Sequence, residues 1–318
     1  MTAAPTSRTG SGTTGLALYT ATARRASETV IQAYSTSFGM ASRLLPPGMR
    51  GDIQAVYALV RVADEIVDGP GAESGLDAAQ CGEVLDALEA EVARAIATGF
   101  SADLVVHAFA ETARRAGIGA EHTAPFFAAM RRDLDPVDFA DERELRDYVY
   151  GSAEVVGLMC VRCFTAGRPM QDAEARRVAR GARALGSAFQ VVNFLRDLGA
   201  DADGLGRAYL PGLDPAHPTE QAVARVLDRL EGELRIARAT IPSLPAEARP
   251  AVLAAHDLFA ALARRIRATP AAEPPRRRIS VPAGEKAAIL ARAALGAGVA
   301  RAGLARREQP APVRGLAR

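Results

Sequence analysis

The sequence predicts an all-α protein that folds as one large domain. Apolar residues recur at helical spacing nearly from end to end, whereas strand-like alternation of apolar and polar residues is scarce. Short segments that contain Pro and Gly interrupt this pattern, as expected of connections between helices. The chain has 318 residues, 49% of them hydrophobic, so it can bury an ample core, and no Ser/Gly/Pro-rich linker divides it.

Helical periodicity predicts helices over residues 15–42, 51–68, 76–98, 103–115, 122–132, 145–164, 172–199, 219–240, 246–268 and 286–307. The helical domain is predicted to span residues 15–306, followed by a flexible basic tail at residues 307–318. Residues 1–14 are small and polar, so they predict a disordered segment rather than a secretory signal peptide, and hence a cytoplasmic protein. No apolar run approaches the roughly 20 residues of a membrane-spanning helix.

Two aspartates near the end of the helix that Gly69 terminates form the first candidate site. Asp64 and Asp68 are four residues apart, so they lie one turn apart on one helix face, with Arg61 one turn earlier. Neighbouring carboxylates repel each other, which a chain tolerates in water or around a cation. The adjacent Val, Ile, Ala and Leu residues indicate a half-buried pair, which suits a hard cation such as Mg²⁺. A solvated acidic helix end is the alternative interpretation.

A second acidic face lies near the end of the predicted helix 172–199 and just beyond it. The polar residues on one side of a single helix there are Gln190, Asn193, Asp197 and Asp201, with Arg196 close to the same face. Two distant helices therefore each offer carboxylates one turn apart and an arginine within a turn. If the two faces meet, bound metal ions and the arginines together can bind a diphosphate. The pairing favours a metal–diphosphate site over two unrelated solvated faces.

Other motifs weigh against several classes of function. Cys160 and Cys163 form a CxxC motif inside an apolar helix without a second pair, which predicts core cysteines in a reducing compartment rather than zinc ligands. No Glu-x-x-His motif supports a di-iron bundle. Residues 204–211 lack the third glycine and the preceding strand of a dinucleotide fingerprint, so no nicotinamide cofactor is expected. Neither aromatic interleaving nor a known motif supports nucleic acid binding.

Charge is distributed unevenly along the chain. Residues 264–318 contain 13 basic and 3 acidic residues, a net charge of +10, which leaves −8 on residues 1–263 of a chain whose total is +2. The predicted helix 286–307 is rich in Ala, Leu and Arg and can form an amphipathic face. Peripheral contact with the inner face of the cell membrane, where product could be released, is one interpretation. Neutralisation of the acidic part of the chain and a solvated tail are the alternatives.

Several of these stretches resemble the squalene/phytoene synthase family, and within it the phytoene synthases, in the order in which that family carries them. The matching stretches are Tyr34-Ser-Thr-Ser-Phe38, Ala41-Ser-Arg-Leu-Leu-Pro-Pro47, residues 56–69, Tyr148 to Gly157, Gln190 to Asp201 and Gly206-Arg-Ala-Tyr-Leu-Pro211. The similarity covers roughly residues 18–295 and is closest to actinobacterial members of the carotenoid pathway. Each motif alone is weak, whereas the set is highly specific.

The resemblance implies an isoprenoid synthase-type helical bundle around a central cavity, with prenyltransferase activity. The implied reaction is the Mg²⁺-dependent head-to-head condensation of two geranylgeranyl diphosphates into 15-cis-phytoene through a cyclopropyl diphosphate, the first committed step of carotenoid biosynthesis. Mn²⁺ is the substitute metal. The faces of Phe38, Tyr57 and Tyr148 would stabilise the allylic cation by cation–π attraction, with core packing as the alternative role of these rings.

The resemblance also implies roles for individual residues. Asp64 and Asp68 match the first metal motif, and Asn193, Asp197 and Asp201 match the second. The substrate-binding positions, mostly around the diphosphates, are Tyr34, Ser35, Ser37, Tyr57, Arg61, Gln190 and Arg196, with Phe38 and Tyr148 as cavity-wall aromatics. The candidate catalytic residues are Asp64, Asp68, Asp197, Asp201, Arg61 and Tyr57.

The chain departs from the family pattern at two places. The second motif usually reads Asp-x-x-Glu-Asp, but Ala200 replaces its Glu, so either metal affinity is lower or that Glu is dispensable. A Tyr that often precedes the late basic run has no counterpart, and the run from Arg276 to Arg278 can supply diphosphate contacts instead.

Three alternative functions stay open at this point. One is the same condensation on farnesyl diphosphate, which yields a C30 dehydrosqualene or squalene. Another is a catalytically silent family member that acts as a binding or assembly protein. The third is an unrelated acidic helical bundle that holds Ca²⁺ or Mg²⁺ structurally.

Overall fold

The computed structural model describes residues 14–135, 139, 141–201, 210, 212–214, 217–271 and 279–307, with side chains except those of 197–201 and 297–307. Over these ranges the chain is helical and forms no strand, which confirms the predicted all-α class. The predicted disordered segment, apart from Thr14, and the predicted tail beyond Arg307 lie outside the described residues, as does the run from Arg276 to Arg278.

The described helices follow one another in this order along the chain. They are α1 (Gly15–Tyr34), α2 (Thr36–Ser42), α3 (Pro47–Val67), α4 (Pro70–Glu73), α5 (Ala78–Thr98), α6 (Leu104–Ala116), α7 (Ala120–Leu134), α8 (Glu142–Val149), α9 (Val155–Thr165), α10 (Asp172–Asp201), α11 (Glu220–Thr240), α12 (Arg249–Arg267) and α13 (Ala283–Arg307). A π-helical segment, Tyr150–Glu154, joins α8 to α9, and a 3₁₀ turn, Ile241–Ser243, joins α11 to α12.

The prediction of one helix over residues 15–42 is wrong, because the chain breaks at Ser35. The Ser35 backbone is extended (φ −134°, ψ 113°), and its hydroxyl accepts a hydrogen bond from the Phe38 N–H at 3.1 Å. This bond caps α2, as expected of a serine that satisfies a free amide at a helix start. The break turns α2 away from the axis of α1 and sets Tyr34 and Phe38 on separate helices.

The predicted helix 145–164 is present, but it contains the π-helical segment. π-Helical turns insert one extra residue and often occur at functional sites. The wider turn changes the direction of the side chains on either side of it. Tyr148 contacts α7, whereas Ser152 and Val156 line the internal cavity described below.

Close helix packing holds α9 and α10 together along the cavity. A Cβ atom at Gly157 would lie 2.5 Å from the Ala182 carbonyl oxygen, and one at Gly186 would lie 2.5 Å from the Ala153 carbonyl oxygen. Only glycine allows the backbones to approach this closely, so Gly157 and Gly186 serve tight packing of α10 against α9 and the π-helical segment. The main core lies beside this contact and includes the fully buried Phe109. No helix in the described ranges is both long and apolar enough to span a bilayer.

Candidate active site

An elongated apolar cavity of about 270 Å³ lies among α2, α3, α9 and α10, the ends of α1 and α11, the start of α12 and the segments that join α8–α9 and α11–α12. Along α10 it extends from Val178 to Asn193, about 22 Å at 1.5 Å per residue. Phe164 and Leu244 line it near Val178, in a separate cluster of buried apolar residues. Gln190 and Asn193 bring polar groups to the other end. The cavity therefore combines a long apolar tunnel with one polar end.

The first acidic face lies on the last turns of α3. Arg61 Nη1 donates a hydrogen bond to Asp64 Oδ2 at 2.9 Å, and the same guanidinium forms an ion pair with Glu65. The Arg61 Cζ atom lies 4.6 Å from the ring centroid of Tyr34, the last residue of α1. Asp68 ends the helix, its N–H bonded to the Asp64 carbonyl. Asp64 is half-buried as predicted, with Arg61 held beside it, whereas Asp68 is exposed, so the prediction of a half-buried pair is correct for Asp64 and wrong for Asp68.

The electrostatics of this face suit a cation. Burial among protein atoms, followed by the negative charge of Asp68, raises the pKa of Asp64 to about 6, although 31% of its side chain stays exposed. The Arg61 charge and hydrogen bond act in the opposite direction without cancelling this effect. Two repelling oxygen ligands, partly solvated, form a donor set that a hard divalent cation stabilises.

The second acidic face lies on α10, which continues unbroken to Asp201. Gln190 and Asn193 line the cavity, and Arg196 is half-buried one turn further on. The side chains of Asp197 and Asp201 lie outside the described residues. Within the ranges that the structure describes, no three acidic, His or Cys side chains gather into a metal site. The described members of the predicted metal set are thus Asp64 and Asp68 on α3 and Asn193 on α10.

An aromatic group surrounds the polar end of the cavity. Phe38 lies 6.4 Å from Tyr57, 5.3 Å from Phe189 and 5.6 Å from Phe259, measured between ring centroids. Phe189 and Phe259 stack at 3.7 Å. Burial raises the pKa of Tyr57, whose hydroxyl is hydrogen-bonded to Ser35. The sequence predicted Phe38 and Tyr57 as site aromatics but gave no sign of Phe189, which also lines the cavity, or of Phe259, which packs against Phe38 and Phe189 without lining it.

Tyr148 is placed apart from this cavity. It is 7% exposed. Its hydroxyl donates to the Asp133 carboxylate and lies 2.9 Å from Oδ1 and 3.1 Å from Oδ2. Its ring packs against Phe139 and Phe194. Tyr148 is therefore absent from the lining of the described cavity, and its predicted role as a wall aromatic stays a prediction. Ser37, also predicted to bind substrate, is half-buried on α2.

The cysteines of the CxxC motif behave as core residues. Cys81, Cys160 and Cys163 are free thiols, and Cys160 contributes to the cavity wall. Burial raises the pKa of Cys160 to about 12 and that of Cys163 well above its ordinary value. Neither thiol ionises near neutral pH, so neither is an activated nucleophile or a ready metal ligand.

Comparison with known proteins gives the family. The family model described as squalene/phytoene synthase matches residues 31–285. The chain is 31% identical over 292 residues to a 15-cis-phytoene synthase of Paracoccus sp., covering 85% of this chain and 93% of that protein. It is 35% identical over 219 residues to the chloroplastic phytoene synthase 3 of Zea mays, covering 66% of this chain but only 49% of the plant protein.

Solved structures show the same fold. A crystal structure of a dehydrosqualene synthase with bound ligand aligns with a TM-score of 0.73 at 21% identity, covering 89% of this chain and 99% of that one. A squalene synthase from Alicyclobacillus acidocaldarius aligns with a TM-score of 0.62 at 21% identity, covering 80% and 97%. At such identities the likeness establishes the fold alone. Because the family model matches residues 31–285, most of the chain, this chain belongs to the squalene/phytoene synthase family.

Proposed function

We propose that this chain is a 15-cis-phytoene synthase, which joins two geranylgeranyl diphosphates head to head. The observation that carries the proposal is the common direction of α3 and α10 at one cavity. Early in the two helices, Ile53 of α3 packs against the cluster that contains Val178 of α10. Further along, Phe38 contacts both Tyr57 of α3 and Phe189 of α10, so the two helices run in the same direction along the cavity. Val60 and Asn193, the next lining residues on α3 and α10, follow beyond these rings. One turn beyond them the two helices carry Asp64 and Asp197, so both acidic faces continue past the same end of an apolar tunnel. The similarity to the Paracoccus synthase supports the product assignment.

The oxygen donors that the sequence carries on α3 and α10 are the ligands that a divalent metal such as Mg²⁺ prefers. Asp64 and Asp68 would hold Mg²⁺ on α3, and Asn193, Asp197 and Asp201 would hold it on α10. When bound, Mg²⁺ offsets the diphosphate charge and so makes diphosphate a better leaving group. Mn²⁺ has the same preference for oxygen ligands.

Arg61 has a separate task at the diphosphate. Its guanidinium already lies against Asp64 and Glu65, so it adds positive charge at the border of the acidic face. Arginine donors bind phosphate oxygens through charge-assisted hydrogen bonds. Arg61 therefore orients the diphosphate and stabilises the charge that develops as the carbon–oxygen bond breaks.

The tunnel protects the cation that the departing diphosphate leaves behind. Its walls are largely aliphatic and aromatic, so they exclude the water that would otherwise add to an allylic cation. The faces of Phe38, Tyr57 and Phe189 lie near the polar end, where each can stabilise positive charge by about 1–2 kcal/mol. The second prenyl chain then attacks a sheltered cation rather than competing with solvent.

A product assay tests this function. Purified protein should convert geranylgeranyl diphosphate to phytoene with Mg²⁺ and form no product in EDTA, as followed by chromatography of the hydrocarbon extract. Asp64→Ala and Asp197→Ala should remove activity while circular dichroism stays unchanged. Glu83→Ala, at an exposed position on α5, is the matched control. A C30 product from farnesyl diphosphate alone, or undiminished product in both aspartate variants, would overturn the assignment.

We also infer that the protein works in the cytoplasm in peripheral contact with an anionic membrane surface, with residues 15–306 as the prenyltransferase domain. On α13, Ile289 and Ala293 are buried while Arg292 is exposed and Leu295 is 70% exposed, so a basic, partly apolar face points outward. Co-sedimentation with phosphatidylglycerol vesicles, lost at high salt and absent with phosphatidylcholine, is the expected result. Equal recovery with both lipids would contradict the charge-based contact.

A further inference from the structure

The break at Ser35 leaves an aromatic ring exposed at the edge of the acidic face. Tyr34 is the last residue of α1, and 52% of its surface is exposed. A ring this exposed contributes little to the hydrophobic core. The Cζ atom of Arg61 lies 4.6 Å from the centroid of the Tyr34 ring, which is within the range of a cation–π contact.

Three contacts together fix the Arg61 side chain. Asp64 accepts a hydrogen bond from Nη1 at 2.9 Å, and Glu65 forms an ion pair with Nη2. Both partners come from the same helix as Arg61, at i+3 and i+4. Tyr34 comes from α1, so its ring holds the arginine from outside α3. A long, flexible side chain held at both its edge and its face loses less entropy when it binds a ligand.

We propose that Tyr34 is a positioning residue for Arg61, acting through its ring rather than through a hydroxyl contact with substrate. The ring holds the guanidinium over the acidic face, so that the guanidinium meets the diphosphate of the incoming prenyl substrate without rearrangement. The inference rests on the proposed function, because it requires a diphosphate ligand. It also changes the meaning of the sequence prediction, which placed Tyr34 among the residues that touch substrate directly.

A role for the Tyr34 ring and a role for its hydroxyl predict different losses of diphosphate affinity in variants. If the ring acts through Arg61, Tyr34→Phe keeps diphosphate affinity and Tyr34→Leu lowers it by about two- to fivefold, the strength of an exposed cation–π contact. If the hydroxyl binds substrate, Tyr34→Phe and Tyr34→Leu lose affinity alike. Since the side chain is largely exposed, neither variant should shift the thermal unfolding midpoint by more than about 1–2 °C.

The test is a double-mutant cycle on the full-length protein, with inorganic diphosphate binding measured by calorimetry in Mg²⁺ buffer. Tyr34→Leu should weaken binding in the wild-type background and have no further effect in the Arg61→Ala background. Arg183→Ala is the matched control, because Arg183 lies 5.2 Å from the Tyr150 ring centroid, outside the described cavity lining. It should leave diphosphate affinity unchanged. The KM of the prenyl diphosphate should follow the calorimetric values, with kcat less affected.

Each contrary result has a distinct meaning. An unchanged affinity in Tyr34→Leu, an equal loss in Tyr34→Phe, or the same loss in the Arg61→Ala background would overturn the positioning role alone. Wild-type protein that binds no diphosphate would refute the proposed function, and this inference with it. Wild-type protein that binds diphosphate but forms no phytoene would refute the proposed reaction and leave the cycle interpretable.

Discussion

Asp64 carries a stability cost in the metal-free protein, and its size can be worked out from the structure. The pKa of Asp64 rises from an ordinary 3.8 to about 6, chiefly through burial and then through the Asp68 charge. The folded protein therefore holds this proton more tightly than the unfolded chain does. The free energy of unfolding must fall as pH rises from about 4 to about 6, and it stays lower above that range.

At 1.36 kcal/mol per pH unit, the shift in the pKa of Asp64 limits the loss of unfolding free energy to about 3 kcal/mol. Since 31% of the Asp64 side chain is exposed, solvent screening reduces the expected cost to about 1–2 kcal/mol. Asp64→Asn removes the charge and keeps an acceptor for Arg61. We therefore expect this variant to be about 1–2 kcal/mol more stable than wild type at pH 7.5 in EDTA, while activity is lost.

The assay is urea unfolding of both proteins in EDTA between pH 4 and pH 8. The advantage of Asp64→Asn should vanish near pH 4, where Asp64 of the wild type is protonated. Adding Mg²⁺ with inorganic diphosphate should stabilise wild type alone and reverse the order. Asp103→Asn, which keeps the cap of α6, controls for the amide substitution. A variant less stable than wild type at pH 7.5 in EDTA would show that the attraction of Arg61 outweighs burial, which refutes the reasoning.

Two further predictions concern helix packing and the altered metal motif. Gly157→Val places a side chain against the Ala182 carbonyl and should lower the free energy of unfolding by at least about 2 kcal/mol in urea titration. Gly284 has open space around it, so Gly284→Ala should leave the free energy of unfolding unchanged. An equal loss of unfolding free energy in both variants would contradict close packing at Gly157. Ala200→Glu restores the usual carboxylate and should lower the Mg²⁺ concentration for half-maximal activity several-fold. An unchanged titration would show that position 200 does not contribute.

Much of the fold follows from local patterns in the chain. The helix that carries Asp64 was predictable from its apolar spacing and from its end before Gly69. It begins at Pro47 rather than at the predicted residue 51, because the first turn of a helix tolerates proline. The break at Ser35 was not predictable from periodicity, since the apolar pattern continues through it and no Pro or Gly lies between Gly15 and Gly39. Serine can satisfy either a mid-helix carbonyl or the amides of a new helix, and only tertiary packing decides between them.

The candidate site was likewise predictable only where its residues come from one helix. Spacing along one helix was enough to pair Asp64 with Asp68 and to place Arg61 beside them. Phe259 could not be found in this way, because it comes from α12 and reaches Phe38 only through the packing of distant helices. The π-helical turn that directs Tyr148 toward Asp133 has no sequence signature of its own. Contacts between elements far apart in the chain were thus the part that required coordinates.

The central claim is that α3 and α10 hold metal and diphosphate between them at the polar end of the tunnel. The most direct measurement is a crystal structure with Mn²⁺ and an unreactive thiolo analogue of geranylgeranyl diphosphate, with manganese located by anomalous scattering. We expect anomalous peaks within about 2.5 Å of carboxylate oxygens of both Asp64 and Asp197, with the prenyl chain running toward Leu244. Peaks that contact neither aspartate, or a prenyl chain bound outside the tunnel, would contradict it.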